Sequence, residues 1–204
     1  MYNFQITKKE SMGFLLIIGV SQFIFSILIA EGLAENYDSQ LHYVSTLGTS
    51  TVSFVFNISV IILGLCLLLS SYLLHKNYQK RLSTSLMILT GICALGVGIF
   101  PENSRPFHGI FTGFVFIFAA LLLISLFQLE KSNFLNILSV FGVFLLLLLL
   151  FLMPYLGLDI EDPTTFLGFF KGTLERSVIY LSSFGFIAFG GYLTSKNTET
   201  FQKL

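Results

Sequence analysis

The chain gathers its reactive side chains in one short segment, Pro101-Glu102-Asn103-Ser104-Arg105-Pro106-Phe107-His108-Gly109. A carboxylate, a guanidinium and an imidazole so close together admit three chemistries. Arg105 could grip a phosphate through two parallel hydrogen bonds. His108, beside Glu102, could serve as a general base in a hydrolase or transferase, or as a metal ligand. The charges could also simply pair and cap helix ends. No HxxxH or HExxH spacing accompanies His108, so no metal is assigned and no cofactor is expected. Two further groups belong with this segment: Glu175-Arg176, and the pair Asp38 and His42.

The elements that must position these residues are long and apolar. Six hydrophobic runs fall at about 12–30, 52–74, 84–100, 108–127, 134–154 and 176–194, separated by short polar breaks. Each is long enough to cross about 30 Å of hydrocarbon as a helix, which takes roughly 20 residues. The expected architecture is therefore an all-α membrane protein, one six-transmembrane helix bundle filling residues 1–204. With 54% hydrophobic and 11% charged residues, no room remains for a sizeable soluble domain. A formal net charge of zero and the absence of a basic run exclude nucleic acid as a partner and leave membrane lipids. Cys66 and Cys93 both fall inside runs and read as small buried apolar residues.

Met12 to Ala30 is long for a signal-peptide core, so the first run is expected to remain as a helix. Lysine and arginine then orient the bundle. Lys8 and Lys9, then Lys76, Lys80 and Arg81, then Lys131, then Lys196 and Lys203 put eight on one side, against Arg105, Lys171 and Arg176 on the other. Both termini should be cytoplasmic, and the Glu102–His108 segment should face outward. The outer connections 31–51 and 155–175 are long, the second carrying Asp162-Pro163 and an apolar stretch, 166–170. That stretch reads as a short amphipathic helix in the headgroup layer or as a loop packed over the bundle.

Prolines at 101 and 106 stop the third helix and confine Glu102 and Arg105 to a tight turn ahead of His108. Glu175 and Arg176 are expected at the outer start of the sixth span. Near hydrocarbon, opposite charges should find one another, so Glu102, Asn103, Arg105, His108, Glu175 and Arg176 are expected to form one ligand-binding site. Ser50, Ser53, Asn57 and Gly64 share one stripe of the second helix. Asn57 reads either as the floor of that pocket or as interhelical glue, with Gly64 a close-contact point. Gly109 and Gly113 form a GxxxG that reads as simple helix packing.

Phe-Pro-Glu-Asn followed by Pro-x-His-Gly and a Phe-rich helix resembles the prokaryotic membrane family known as domain of unknown function 998. Ser45-Thr46-Leu47-Gly48 leading into Phe56-Asn57, and Glu175-Arg176 followed by Phe189-Gly190-Gly191-Tyr192, are similar to two further stretches of that family. Where Thr46 stands, the family usually carries an acidic residue. The resemblance implies a six-helix bundle in a prokaryotic cell membrane without an assigned activity. More distantly it implies kinship with Frag1/DRAM/Sfk1-type proteins of lipid remodelling. Three functions stay open: handling a lipid headgroup at an outer-leaflet pocket, a membrane-embedded hydrolase or transferase using His108 and Glu102, and a non-catalytic structural bundle.

Overall fold

A computed structural model describes residues 7–156, 165–166 and 169–195. The acidic residues at 159, 161 and 162, the Asp-Pro pair at 162–163, and Lys196 and Lys203 lie outside the described residues. Six long helices run α1 (Lys8–Leu33), α2 (Ser53–Tyr78), α3 (Arg81–Ile99), α4 (Phe107–Phe127), α5 (Asn133–Leu156) and α6 (Lys171–Ser195). A 3-10 helix, Val44–Thr49, precedes α2, and a small antiparallel pair, β1 (Thr165–Phe166) with β2 (Phe169–Phe170), precedes α6. Among the described residues, α1 to α4 and α6 are long and apolar enough to cross a membrane.

Helix boundaries follow local chemistry. Thr7 and Glu10 form a reciprocal capping box that starts α1 ahead of its apolar run. Gln79, in the left-handed conformation, closes α2 and turns the chain into α3. Successive helices pack side by side, and α6 returns to α1, so the bundle closes into a ring. Gly13 and Gly190 mark that closure: a Cβ on Gly13 would lie 2.7 Å from the Gly190 carbonyl oxygen. Small residues allow this approach because dispersion, not water exclusion, drives packing in lipid. The ring's outer faces carry Ile18, Phe25, Leu65, Leu69 and Ile137, all exposed, as lipid-facing positions require.

The core has two parts. One, around Met12, Leu74, Leu126, Phe127 and Phe189, fills the end of the bundle holding the α2–α3 and α4–α5 connections. There Glu130 accepts from Lys9 Nζ at 2.8 Å, Tyr78 at 2.6 Å and Tyr192 at 3.2 Å, tying α1, α2 and α6 to one connection. The other part, around Phe23, Ile27, Val44, Leu47, Phe56 and Val97, lies beneath the 3-10 helix at the opposite end.

Two expectations are corrected here. The described residues of the 166–170 stretch are strand and not an amphipathic helix, with Phe166 paired to Phe169. Alternating exposure on a two-residue strand, with Phe169 outward, suits the same apolar residues as well as a helix would. The sixth helix starts at Lys171, five residues before the run of apolar residues does. Glu175 and Arg176 thus sit inside its first turns and not at its start. The reason is Gly172, whose N–H donates to the Gln40 carbonyl at 3.0 Å and whose missing side chain leaves space for the His42 carbonyl.

Candidate functional site

The turn from Pro101 to Pro106 is closed by the Ser104 N–H donating to the Pro101 carbonyl at 2.8 Å. It turns the Glu102 side chain inward, 9% exposed, while Arg105 stays 55% exposed with Nη2 4.0 Å from Glu102 Oε1. Asn103 is exposed. His108, the second residue of α4, is buried, and its Nδ1 lies 2.7 Å from the Phe100 carbonyl oxygen. A carbonyl only accepts, so Nδ1 carries the proton. Nε2 lies 3.2 Å from Thr112 Oγ1, and in the neutral ring it accepts from that hydroxyl. Both ring nitrogens therefore have partners, Nδ1–H on a carbonyl and Nε2 on the Thr112 hydroxyl, which fixes the orientation of the ring.

Glu175 enters from α6, across 131 residues of sequence, and its Oε2 accepts from the Val44 N–H at 2.5 Å. That N–H is the first of the 3-10 helix, where a carboxylate is favoured by the unpaired donors and the helix dipole. Tyr43 caps the same turn. Burial, reinforced by the Glu175 and Glu102 charges, pushes its hydroxyl up to about 12. The ammonium of Lys171 stands 5.3 Å over the Tyr43 ring.

Glu102, Arg105, His108 and Glu175 line one cavity of about 360 Å³, together with Tyr43, Ser45 and Thr112. This is within the size range of small-ligand pockets. Gly109 and Gly113 line it too, and a side chain on Gly109 would meet open space. Gly109 thus borders a cavity instead of packing against a helix. Beneath it a second, apolar chamber of about 100 Å³ lies among Val20, Phe23, Val60, Ala94 and Phe186. Ser45, Thr112, Phe116 and Glu175 wall both spaces.

Arg176 and Asn57 do not join this cavity. Neighbouring helical residues diverge by about 100°, so Arg176 leaves α6 on a different side from Glu175. Its Nε and Nη2 donate to Glu31 Oε1 at 3.0 and 2.6 Å, and Nη1 donates to the carbonyls of His42 (3.2 Å) and Gly172 (3.0 Å). Nη2 also donates to the Tyr37 hydroxyl. All five guanidinium N–H groups are engaged, leaving none for a phosphate. Burial raises the Tyr37 hydroxyl well above its ordinary range although Arg176 opposes it. Asn57 Nδ2 donates to the Gly48 carbonyl at 3.0 Å and fastens the 3-10 helix to α2. Gly64 sits in close contact, its would-be Cβ 2.9 Å from the Gly91 carbonyl oxygen. Asp38 and His42 hold their own loop: the Asp38 carboxylate accepts from the N–H groups of Gln40 and Leu41, which lowers it below the usual range.

Sequence reading missed Glu31, Tyr37, Tyr43, Ser45 and Thr112. Thr112 was legible, since it stands one helical turn after His108. Glu31 was assigned to a loop, whereas it lies in the last turn of α1. Among the described residues no group of His, Cys, Asp and Glu has the arrangement of a metal site.

Long lipid-facing helices around a polar recess at one end define an integral membrane helical bundle. The chain belongs to the family described as Protein of unknown function (DUF998), whose model matches residues 17–192. No curated protein and no solved structure matches the chain.

Proposed function

We propose that this protein binds a membrane lipid, with its headgroup in the cavity at Glu102 and His108 and its tail directed into the apolar chamber below. The observation that carries this reading is the shared wall: Ser45, Thr112, Phe116 and Glu175 border both a polar space and an apolar one. An amphiphile matches that change of character along one path, whereas a small polar solute has no use for the chamber. The enzyme reading keeps a hydroxyl beside a base, Thr112 on His108 Nε2, but it gives no role to the apolar chamber below. The structural reading accounts for Arg176 and Glu31, but not for a carboxylate facing an open cavity.

The chain acts in this reading as one bundle of six spans in a prokaryotic cell membrane, with both termini cytoplasmic and the cavity at the outer leaflet. The 24 residues of α5, about 36 Å as a helix, support the sixth span. The lysine and arginine asymmetry supports the orientation.

Gly109→Leu tests the function. Leucine is a better helix former than glycine and meets open space there, so folding should be kept while the cavity is plugged. Native mass spectrometry of the detergent-purified protein should find lipid on the parent chain and little on the variant. Equal lipid on both would contradict the reading.

A further inference from the structure

The polar wall of the cavity carries two carboxyl groups, Glu102 and Glu175. Glu102 is the informative group. Its side chain is nine-tenths buried, it borders the cavity, and among the described residues it accepts no hydrogen bond; Arg105 stands off at 4.0 Å. Buried carboxylates are rarely left this way, because desolvation goes uncompensated. Glu175 brings a second carboxyl group to the same space, already accepting from the backbone N–H groups of Val44 and Ser45. The nearby cations are disposed elsewhere: Arg176 gives every N–H to its own knot, and Lys171 lies against the Tyr43 ring. Arg105, half exposed, borders the rim.

We infer that the bound headgroup carries a primary ammonium, received by Glu102 in the field of Glu175, with the adjoining phosphate toward Arg105: a phosphoethanolamine head. This rests on the lipid-binding reading above and adds the headgroup class. A purely anionic head would bring its oxygens up to two carboxylates in a low-dielectric recess, which is repulsive. A quaternary ammonium has no N–H to offer Glu102. A primary ammonium has three donors and supplies the one that Glu102 is without among the described residues.

The test is displacement of a phosphatidylethanolamine labelled on its acyl chain from the detergent-purified protein. Competitors with identical chains are phosphatidylethanolamine, its N-acetyl derivative, phosphatidylcholine and phosphatidylglycerol. Chain-free glycerophosphoethanolamine is included as well. Phosphatidylethanolamine should compete about tenfold or more better than the other three lipids, the scale of one charge-assisted hydrogen bond. Glu102→Gln should level the series while lipid still binds. Equal competition by the N-acetyl lipid or by phosphatidylglycerol, on the unaltered protein, overturns the headgroup assignment and leaves lipid binding standing. A folded Glu102→Gln protein with its preference intact does the same. Competition by glycerophosphoethanolamine as strong as by the lipid keeps the ammonium and overturns the role of the tail. Displacement by no lipid overturns both.

Discussion

Replacing Arg176 should unfold the protein more readily without emptying the cavity. The guanidinium joins α6 to the end of α1 through Glu31 and to the 37–42 loop through Tyr37 and His42. The two charged side chains are 10% and 18% exposed. Removing one partner of a buried pair costs about 3–5 kcal/mol, mostly because the other charge is left uncompensated. Glu31 keeps some contact with its surroundings, so the lower end, about 3 kcal/mol, is expected for Arg176→Ala. At roughly 2–4 °C per kcal/mol for a chain of this size, thermal unfolding in detergent at one fixed scan rate should fall by about 6–12 °C. Replacing both partners by apolar residues, Arg176→Met with Glu31→Leu, should recover most of that loss, since no lone charge remains. Lipid bound to the folded fraction should be unchanged, because Arg176 is not part of the cavity wall. An unshifted melting temperature, a double variant no better than the single one, or a stable variant stripped of lipid would each refute this reasoning.

Three further outcomes are expected. Glu130→Ala should destabilise the bundle by about 2 kcal/mol through the lost acceptors of Tyr78 and Tyr192. Lys9→Ala, melted beside it, leaves the Glu130 carboxylate, 9% exposed, without its cation and should also lower stability, by less than Glu130→Ala because the Lys9 side chain is itself 44% exposed. Gly172→Ala places a methyl group against the His42 carbonyl and 2.6 Å from the Gln40 oxygen, and should lower stability by about 1–3 kcal/mol with faster proteolysis in the 39–42 loop. Reporter fusions after Lys80 and Lys196 should read cytoplasmic and those after Asp38 and Asp162 external; an external reading at Lys196 would contradict six spans.

Helices were legible in the sequence because lipid demands long apolar runs, and their cores fall where the runs do. Their ends were less so. Thr7 with Glu10 extends α1 to Lys8, and Gly172 lets α6 begin at Lys171, both through polar residues that a count of apolar ones passes over. The Glu102–Arg105–His108 turn was legible from two prolines. What separates Arg176 from that turn was half legible: consecutive helical residues cannot aim at one point, but the identity of Glu31 as its partner is a tertiary fact 145 residues away. Asn57 read as glue or as pocket floor, and the partner it takes, the Gly48 carbonyl of the 3-10 helix, was not legible from the stripe it shares on α2.

The most direct measurement is a density map of the protein in nanodiscs made from a phospholipid mixture. Continuous density is expected, its head against Glu102 and His108 and its tail passing Thr112 and Phe116 into the chamber between Val60, Ala94 and Phe186. A well-resolved map in which that path holds nothing but solvent, with lipid confined to the outer faces around Phe25 and Leu69, would contradict it.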